Sequence, residues 1–76
     1  MIENHDLAER LNDLLLEVNG RLVDSINIVR ESCSAEEYAL YGVRVGKIIN
    51  SIFQDILEPI YEEHRDLKPA QLDYPP

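Results

Sequence analysis

The residues best suited to bind a metal ion lie near the two ends of the chain. His5 and Glu9 are four residues apart, a spacing that places both side chains on one face of an α-helix, and Glu62 and His64 follow near the C-terminus. Imidazole and carboxylate groups are common ligands of divalent transition metals. The Glu-x-x-His motif of di-iron helical bundles is absent, because Tyr61 stands three residues before His64. We therefore keep a metal-binding helical bundle as a third alternative, and we expect no cofactor.

Cys33, the single cysteine of the chain, is the strongest candidate nucleophile. A catalytic thiol needs a neighbouring histidine or cationic group that lowers its pKa. The helical hairpin that the sequence predicts places both histidines at the opposite end of the molecule, roughly 35–40 Å away at the rise of a helical residue. Neighbouring carboxylates such as Glu62 and Glu63 point in different directions on a helix and cannot act as an acid–base pair. We therefore predict that the protein is not an enzyme.

The composition is that of one small acidic domain. The 76 residues carry a net charge of −8, from 15 acidic and 7 basic side chains. This charge repels phosphate backbones and anionic lipids, and no apolar run is long enough to span a bilayer, so we expect neither a nucleic-acid nor a membrane partner. The first residues are polar and acidic where a signal peptide would be basic and then apolar. Together with a lone cysteine, which suits a reducing compartment, these features predict a cytoplasmic protein.

A stripe of apolar residues predicts one long first helix over residues 6–32. Asp6 and Glu9 form a variant of the capping box at its start. The pair Asn19-Gly20 often marks a turn, but the stripe passes through it without a change of phase. We therefore expect one helix, straight or bent at Gly20. The stripe has spacings of 3 and 4 in an eleven-residue repeat and consists of Leu7, Leu11, Leu15, Val18, Leu22, Ile26, Val29 and Cys33.

A second helix is predicted from Ser34 to about residue 57. Ser34 followed three residues later by Glu37 is a capping box, in which each side chain satisfies the backbone N–H of the other residue. Pro59 then lacks an N–H and clashes with the preceding helical turn. Either the helix kinks at Pro59, or Pro59 begins a short third helix over residues 59–65.

The short connection between the two helices predicts an all-α fold, an antiparallel two-helix hairpin over residues 1–66. Paired positions across the hairpin have numbers that add to about 67, so both histidines lie at its open end. Residues 67–76 contain three prolines and predict an extended tail. We expect either that Leu67, Leu72 and Tyr74 hold this tail against the hairpin or that the tail is mobile.

The predicted second helix is apolar over most of its circumference, more than one neighbouring helix can cover. We therefore predict that two hairpins associate as a homodimeric four-helix bundle with twofold symmetry, with a higher even oligomer as a further possibility. Two alternatives stay open: a different protein chain covers this surface, or the C-terminal tail folds back over it.

Two glycines in the second helix indicate where a helix approaches closely. Gly42 and Gly46 each cost a helix about 0.5–1 kcal/mol relative to alanine. We favour a contact between chains. Alternatively, Leu22, Ile26 or Val29 of the first helix fills the space, or the glycines permit a bend. The predicted oligomer interface consists of Ala39, Gly42, Gly46, Ile49, Phe53 and Ile56.

The acidic residues are concentrated at the open end of the hairpin. Residues 1–17 and 50–76 hold eleven acids and three bases, whereas residues 18–49 hold four of each. The predicted function is that of a small non-enzymatic interaction protein, which self-associates through its second helix and binds another protein. The alternative is an acidic inhibitor or antidote, immunity- or antitoxin-like, of a basic protein; the plainest interpretation is that the acids only keep an oligomer soluble. The candidate acidic docking surface consists of Glu9, Asp13, Glu58, Glu62 and Glu63.

Overall fold

The computed structural model describes residues 1–69, and these residues form helices and no strand. The two long helices confirm the predicted all-α class. Residues 70–76, with the contacts predicted for Leu72 and Tyr74, lie outside the described residues. The elements are α1 (His5–Ser32), α2 (Ala35–Ser51), a π-helical segment (Ile52–Leu57), α3 (Glu58–Glu63) and a 3-10 turn (Arg65–Leu67). We call residues 35–63 the second arm.

Helix α1 begins at His5, and its cap is Asn4 rather than the predicted Asp6. The Asn4 side-chain oxygen accepts a hydrogen bond of 2.9 Å from the Leu7 backbone N–H. Asn4 is as good a cap as an aspartate, and it leaves Asp6 in the first turn, where a carboxylate favours the helix dipole. The predicted cap was therefore two residues too late. The helix then continues through Gly20 without a break to Ser32.

Ser34 caps α2, and only part of the predicted capping box forms. The Glu37 backbone N–H donates to the Ser34 hydroxyl oxygen over 3.1 Å. The hydroxyl itself donates to the Glu37 carboxylate over 3.1 Å, which replaces the predicted bond from the Ser34 backbone N–H. Cys33 and Ser34 both have extended backbone, and the chain reverses there. The Tyr41 hydroxyl then reaches Ser25 at 2.9 Å, as the antiparallel register requires.

Pro59 is accommodated by a π-helical segment instead of a kink. The backbone has helical dihedral angles at both ends of the segment, at Ser51, Ile52, Leu57 and Glu58, and Pro59 lies in the first turn of α3. The Glu58 N–H donates to the carbonyl of Phe53, five residues earlier. The wider turn accommodates a proline ring that would clash with the preceding turn of an α-helix. The second arm is therefore continuous from Ala35 to Glu63.

The same segment changes which residues face α1. Val45, Ile49 and Ile52 turn inward at the spacings of an α-helix, Phe53 packs against the core beside Ile52, and the next fully buried residue is Leu57. Ile56, which an α-helical spacing would place inward, is more than a third exposed. The π-helical segment therefore rotates the end of the arm so that its apolar residues return to α1.

The buried positions of α1 differ from the predicted stripe in its N-terminal half. Leu7 is 45% exposed and Val18 is also exposed, whereas Ala8, Asn12 and Asn19 are buried. A search for apolar residues alone passes over asparagines. For this reason the predicted stripe in the N-terminal half of α1 was displaced by one residue from the positions that are buried. The positions facing the second arm follow the spacings of a coiled-coil heptad: Ala8, Asn12, Leu15, Asn19, Leu22, Ile26 and Val29.

The hydrophobic core lies at the open end of the hairpin. Its buried residues are Ala8, Leu57, Ile60 and Tyr61, and Leu67 of the 3-10 turn packs against them. Among the described residues nearer the turn, Val45 is the one buried hydrophobic side chain. None of the described helices is long and apolar enough to cross a membrane.

Candidate interaction surfaces

A buried polar pair joins α1 to the end of the second arm. The Tyr61 hydroxyl donates to the side-chain oxygen of Asn12, and the Asn12 amide donates to the Leu67 carbonyl over 3.5 Å. Burial raises the pKa of Tyr61, and the nearby Glu58 carboxylate raises it further. The tyrosine therefore stays protonated at neutral pH and acts as a hydrogen-bond donor. This pair fixes α3 and the 3-10 turn on α1.

The two histidines lie together at the open end, as the pairing of positions across the hairpin predicted. Their ring centroids are 5.2 Å apart with the planes at 79°. The His5 ring bonds to the Asp66 carboxylate over 2.7 Å, and the His64 ring donates to the Ile2 carbonyl over 2.8 Å. The hydrogen bond to Asp66 and its charge raise the pKa of His5, while the bond from His5 lowers the pKa of Asp66.

These contacts define what the open end can do chemically. Both imidazoles are engaged, His5 with Asp66 and His64 with the Ile2 carbonyl, and the N-terminal amine pairs with Glu63 over 3.1 Å. Within residues 1–69, no three His, Cys, Asp or Glu side chains are arranged to hold a metal ion. Cys33 is exposed at the turn, at the other end of the hairpin from both histidines. The open end is a network of hydrogen bonds and ion pairs between residues 1–5 and residues 63–66.

The predicted acidic surface divides into paired and exposed residues. Glu63 pairs with the N-terminal amine, and Glu58 lies 3.7 Å from the Lys68 amine. Glu9, Asp13 and Glu62 are exposed and form no ion pair within the described part of the chain. These three carboxylates are the members of the set that face solvent with their charge uncompensated.

One side of the second arm, which we call the glycine side, carries Ala39, Gly42, Val43 and Gly46. A Cβ added at Gly42 would lie 3.9 Å from Ile26, whereas one added at Gly46 would meet no atom within 4 Å. Ala39 is exposed, and Val43 is 59% exposed. Helix α1 therefore approaches Gly42, as one of the alternatives proposed, but it leaves Gly46 uncovered. The helix continues past both glycines without a break.

The other predicted interface residues lie elsewhere on the second arm. Ile49 is half-buried, and Phe53 packs against the core at the open end. Ile56 belongs to a groove on the opposite side of the arm from the glycines, since Gly46 and Ile48 are two positions apart on a helix. We call this surface the isoleucine groove; it crosses from α2 into the π-helical segment and is lined by Lys47, Ile48, Ser51, Ile52, Asp55 and Ile56.

Asn19 is buried without a hydrogen-bond partner. It is 6% exposed, and both polar atoms of its side chain lack a partner within the described residues. Asn12, seven residues earlier, occupies the equivalent heptad position and is satisfied by Tyr61 and Leu67. Sequence reasoning passed over both asparagines. The signal that could have found them is their spacing of seven within a seam that is otherwise apolar.

Comparison of the chain with protein-family models, with curated proteins and with solved structures found no significant match.

Proposed function

We propose that this chain is a small non-enzymatic interaction protein that self-associates through its second arm, with two hairpins forming a homodimeric four-helix bundle. The observation that supports the proposal is the number of large apolar side chains that the hairpin leaves exposed on both long helices. Among the described residues, nine large apolar helical side chains are exposed against five buried hydrophobic ones, a balance that favours association. The exposed helical residues are Leu7, Leu14, Val18, Val23, Ile28, Leu40, Val43, Ile48 and Ile56.

The energetics favour association for a chain of this size. Burying a Val, Leu or Ile side chain completely contributes about 1.5–3 kcal/mol, so each half-exposed one retains about 1 kcal/mol that a second copy can recover. Twofold symmetry uses every contact twice. The chain also lacks an intramolecular disulfide, one of the means by which small domains compensate for a limited core. Oligomerisation is another such means.

The glycine side is the first candidate contact between chains. Gly46 is open, and a helix of a second copy could approach the backbone closely along Ala39, Gly42 and Gly46. The bulk of a leucine at Gly42 and Gly46 would prevent that approach. Gly20 provides a control matched to Gly46, since an added Cβ at either glycine would meet nothing within 4 Å, but Gly20 lies on α1.

Sedimentation velocity over a wide concentration range tests the proposal. The wild-type chain should sediment as a dimer or higher even oligomer at high concentration and dissociate on dilution. Gly42→Leu combined with Gly46→Leu should weaken association, while Gly20→Leu should not. A wild-type chain that remains monomeric at every concentration would refute self-association. If the double glycine variant associates as strongly as Gly20→Leu and the wild type, the glycine side is not a contact between chains, and self-association itself is not refuted.

The second candidate function is the docking of a basic protein, as an inhibitor or antidote in the cytoplasm. It is favoured by the exposed, uncompensated carboxylates of Glu9, Asp13 and Glu62 at the open end. Electrostatic steering would make the association rate fall steeply with ionic strength, whereas binding through apolar surface would change little. Stopped-flow association with a basic partner at low and high salt separates the two modes.

A further inference from the structure

The side chains of the isoleucine groove are arranged symmetrically about its centre, with opposite charges at equal distances from it. Lys47 lies four residues before Ser51 and Asp55 lies four residues after it, and both belong to the groove. Ile48 and Ile56 are likewise four residues on either side of Ile52. The groove therefore has one row with a base and an acid on either side of Ser51, and beside it a second row of three isoleucines.

This order makes the groove complementary to itself in one orientation. If a second copy lies antiparallel about a twofold axis near Ser51 and Ile52, Lys47 of each copy meets Asp55 of the other. Ile48 then meets Ile56, and Ile52 meets its own counterpart. In a parallel arrangement Lys47 would meet Lys47 and Asp55 would meet Asp55, so that like charges would repel.

We propose that the isoleucine groove binds a second copy of this chain in antiparallel orientation, with Lys47 of each copy paired with Asp55 of the other. The inference rests on the proposed self-association and assigns it a surface and an orientation. The groove lies on the opposite side of the second arm from the glycines. A chain that uses the groove alone assembles as a dimer, and a chain that also uses the glycine side can assemble further.

Both charged groups are available for this contact. Ile48 is 53% exposed, and neither Lys47 nor Asp55 forms an ion pair within residues 1–69. A second base and a second acid lie farther out at equal distances, since Arg44 precedes Lys47 by three residues and Glu58 follows Asp55 by three. Glu58 already lies 3.7 Å from Lys68 within the chain, so we assign the pairing to Lys47 and Asp55.

The distribution of net charge favours the same orientation. The acids concentrate at the open end, and a parallel pair would place two such ends side by side. In the antiparallel pair the two copies of Glu62 lie roughly 33 Å apart along the axis, at 1.5 Å per helical residue. That distance is about four Debye lengths at physiological ionic strength, so the repulsion between the ends is screened. The axis also falls near the middle of the second arm, so the two arms overlap along most of their length.

Charge reversal provides the test, because the two partners of each pair are on different chains. Lys47→Glu and Asp55→Lys, each made alone, should raise the dissociation constant of the dimer about tenfold or more, since two attractive pairs become repulsive. The double variant should restore it. A mixture of the two single variants should form a heterodimer, because in that pair every base again meets an acid. Asp24→Lys, an exposed charge change on α1, is the matched control and should leave association unchanged.

Cys33 reports the orientation directly, because it is the single cysteine and is exposed at the turn. Spin labels at Cys33 should lie roughly 54 Å apart in the antiparallel dimer, at 1.5 Å per helical residue. A parallel dimer would place them near the ~10 Å spacing of packed helices. A short distance between the labels would overturn the proposed orientation.

The remaining outcomes separate this inference from the proposed function. If the wild-type chain self-associates and both charge reversals behave like Asp24→Lys, the groove is not the interface, and self-association stands. If each reversal weakens the dimer but neither the double variant nor the mixture restores it, the antiparallel pairing is wrong. A wild-type chain that never self-associates overturns both proposals. Circular dichroism of each variant confirms that the helices are intact.

Discussion

Two buried asparagines, one heptad apart on the same helix, should respond in opposite ways to the same substitution. Leucine has the branching of asparagine at Cγ and replaces the side-chain oxygen and nitrogen by methyl groups. Asn19 has no partner for either polar atom, whereas Asn12 accepts from Tyr61 and donates to Leu67. We expect Asn19→Leu to stabilise the fold and Asn12→Leu to give no such gain.

The magnitudes follow from what each side chain contacts. An unpaired buried amide costs about 1–3 kcal/mol, which Asn19→Leu recovers together with the apolar burial of the new side chain. Tight packing around the larger methyl groups offsets part of that gain. In Asn12→Leu the buried Tyr61 hydroxyl loses its acceptor, a cost of about 1–3 kcal/mol that cancels the apolar gain. The two variants should therefore differ by about 2–4 kcal/mol in free energy of unfolding.

Urea unfolding followed by circular dichroism measures the difference. A domain of this size has a urea dependence of about 1 kcal/mol per molar, so the two midpoints should be separated by roughly 2–4 M. All variants must be compared at one protein concentration, because self-association also shifts the midpoint. Adding Tyr61→Phe to Asn12→Leu removes the stranded hydroxyl and should recover about 1–2 kcal/mol. A variant Asn19→Leu no more stable than the wild type would refute the reasoning, since it would mean that the Asn19 amide is paired in solution.

Three further predictions concern the helix, the core and the open end. Gly20→Ala should raise the free energy of unfolding by about 0.5–1 kcal/mol in urea melts, because nothing lies within 4 Å of the added methyl group; a loss would contradict it. Ile60→Ala should cost about 2–5 kcal/mol and Val45→Ala clearly less, as the core lies at the open end; equal losses would show that the core extends to the turn. The His5–Asp66 pair should stabilise the fold most between the ordinary pKa of Asp66, 3.8, and that of His5, 6.5, because the pKa of Asp66 is lowered and that of His5 raised. The stability difference between the wild type and His5→Ala should therefore shrink as pH rises through the folded pKa of His5, and again as pH falls through that of Asp66; a difference independent of pH would show that the pair does not form.

Some features of the fold follow from local sequence and others do not. The second helix could be placed from Ser34 and Glu37 because a cap depends on residues within one turn. The start of α1 was misplaced because Asn4 and Asp6 are both able to cap, and sequence alone does not rank them. Counting apolar residues could not find Asn12, whose burial depends on Tyr61, 49 positions away in the chain.

Some of the surfaces could likewise be found from the sequence, and one could not. The exposed glycine side and the acidic open end could be found from composition and helical spacing. The isoleucine groove could not, because it depends on the π-helical segment, which turns Ile56 away from α1 and Leu57 toward it. A constant helical period groups Ile56 with the glycines. The position of Pro59 indicated a disturbance but did not specify its form.

The position of the core at the open end has a consequence for how the molecule opens. Local unfolding should begin at the turn, because Val45 is the one buried hydrophobic residue described in the half of the hairpin nearer to it, and backbone amides at the turn should exchange with solvent fastest. In an antiparallel dimer each turn lies beside the well-packed end of the other copy. Each chain would then protect the least stable part of its partner, so exchange at the turn should slow with protein concentration while exchange near Leu57 and Ile60 changes little. Local unfolding of the turn would then require dissociation of the dimer, so the lifetime of the folded turn would be set by the lifetime of the dimer.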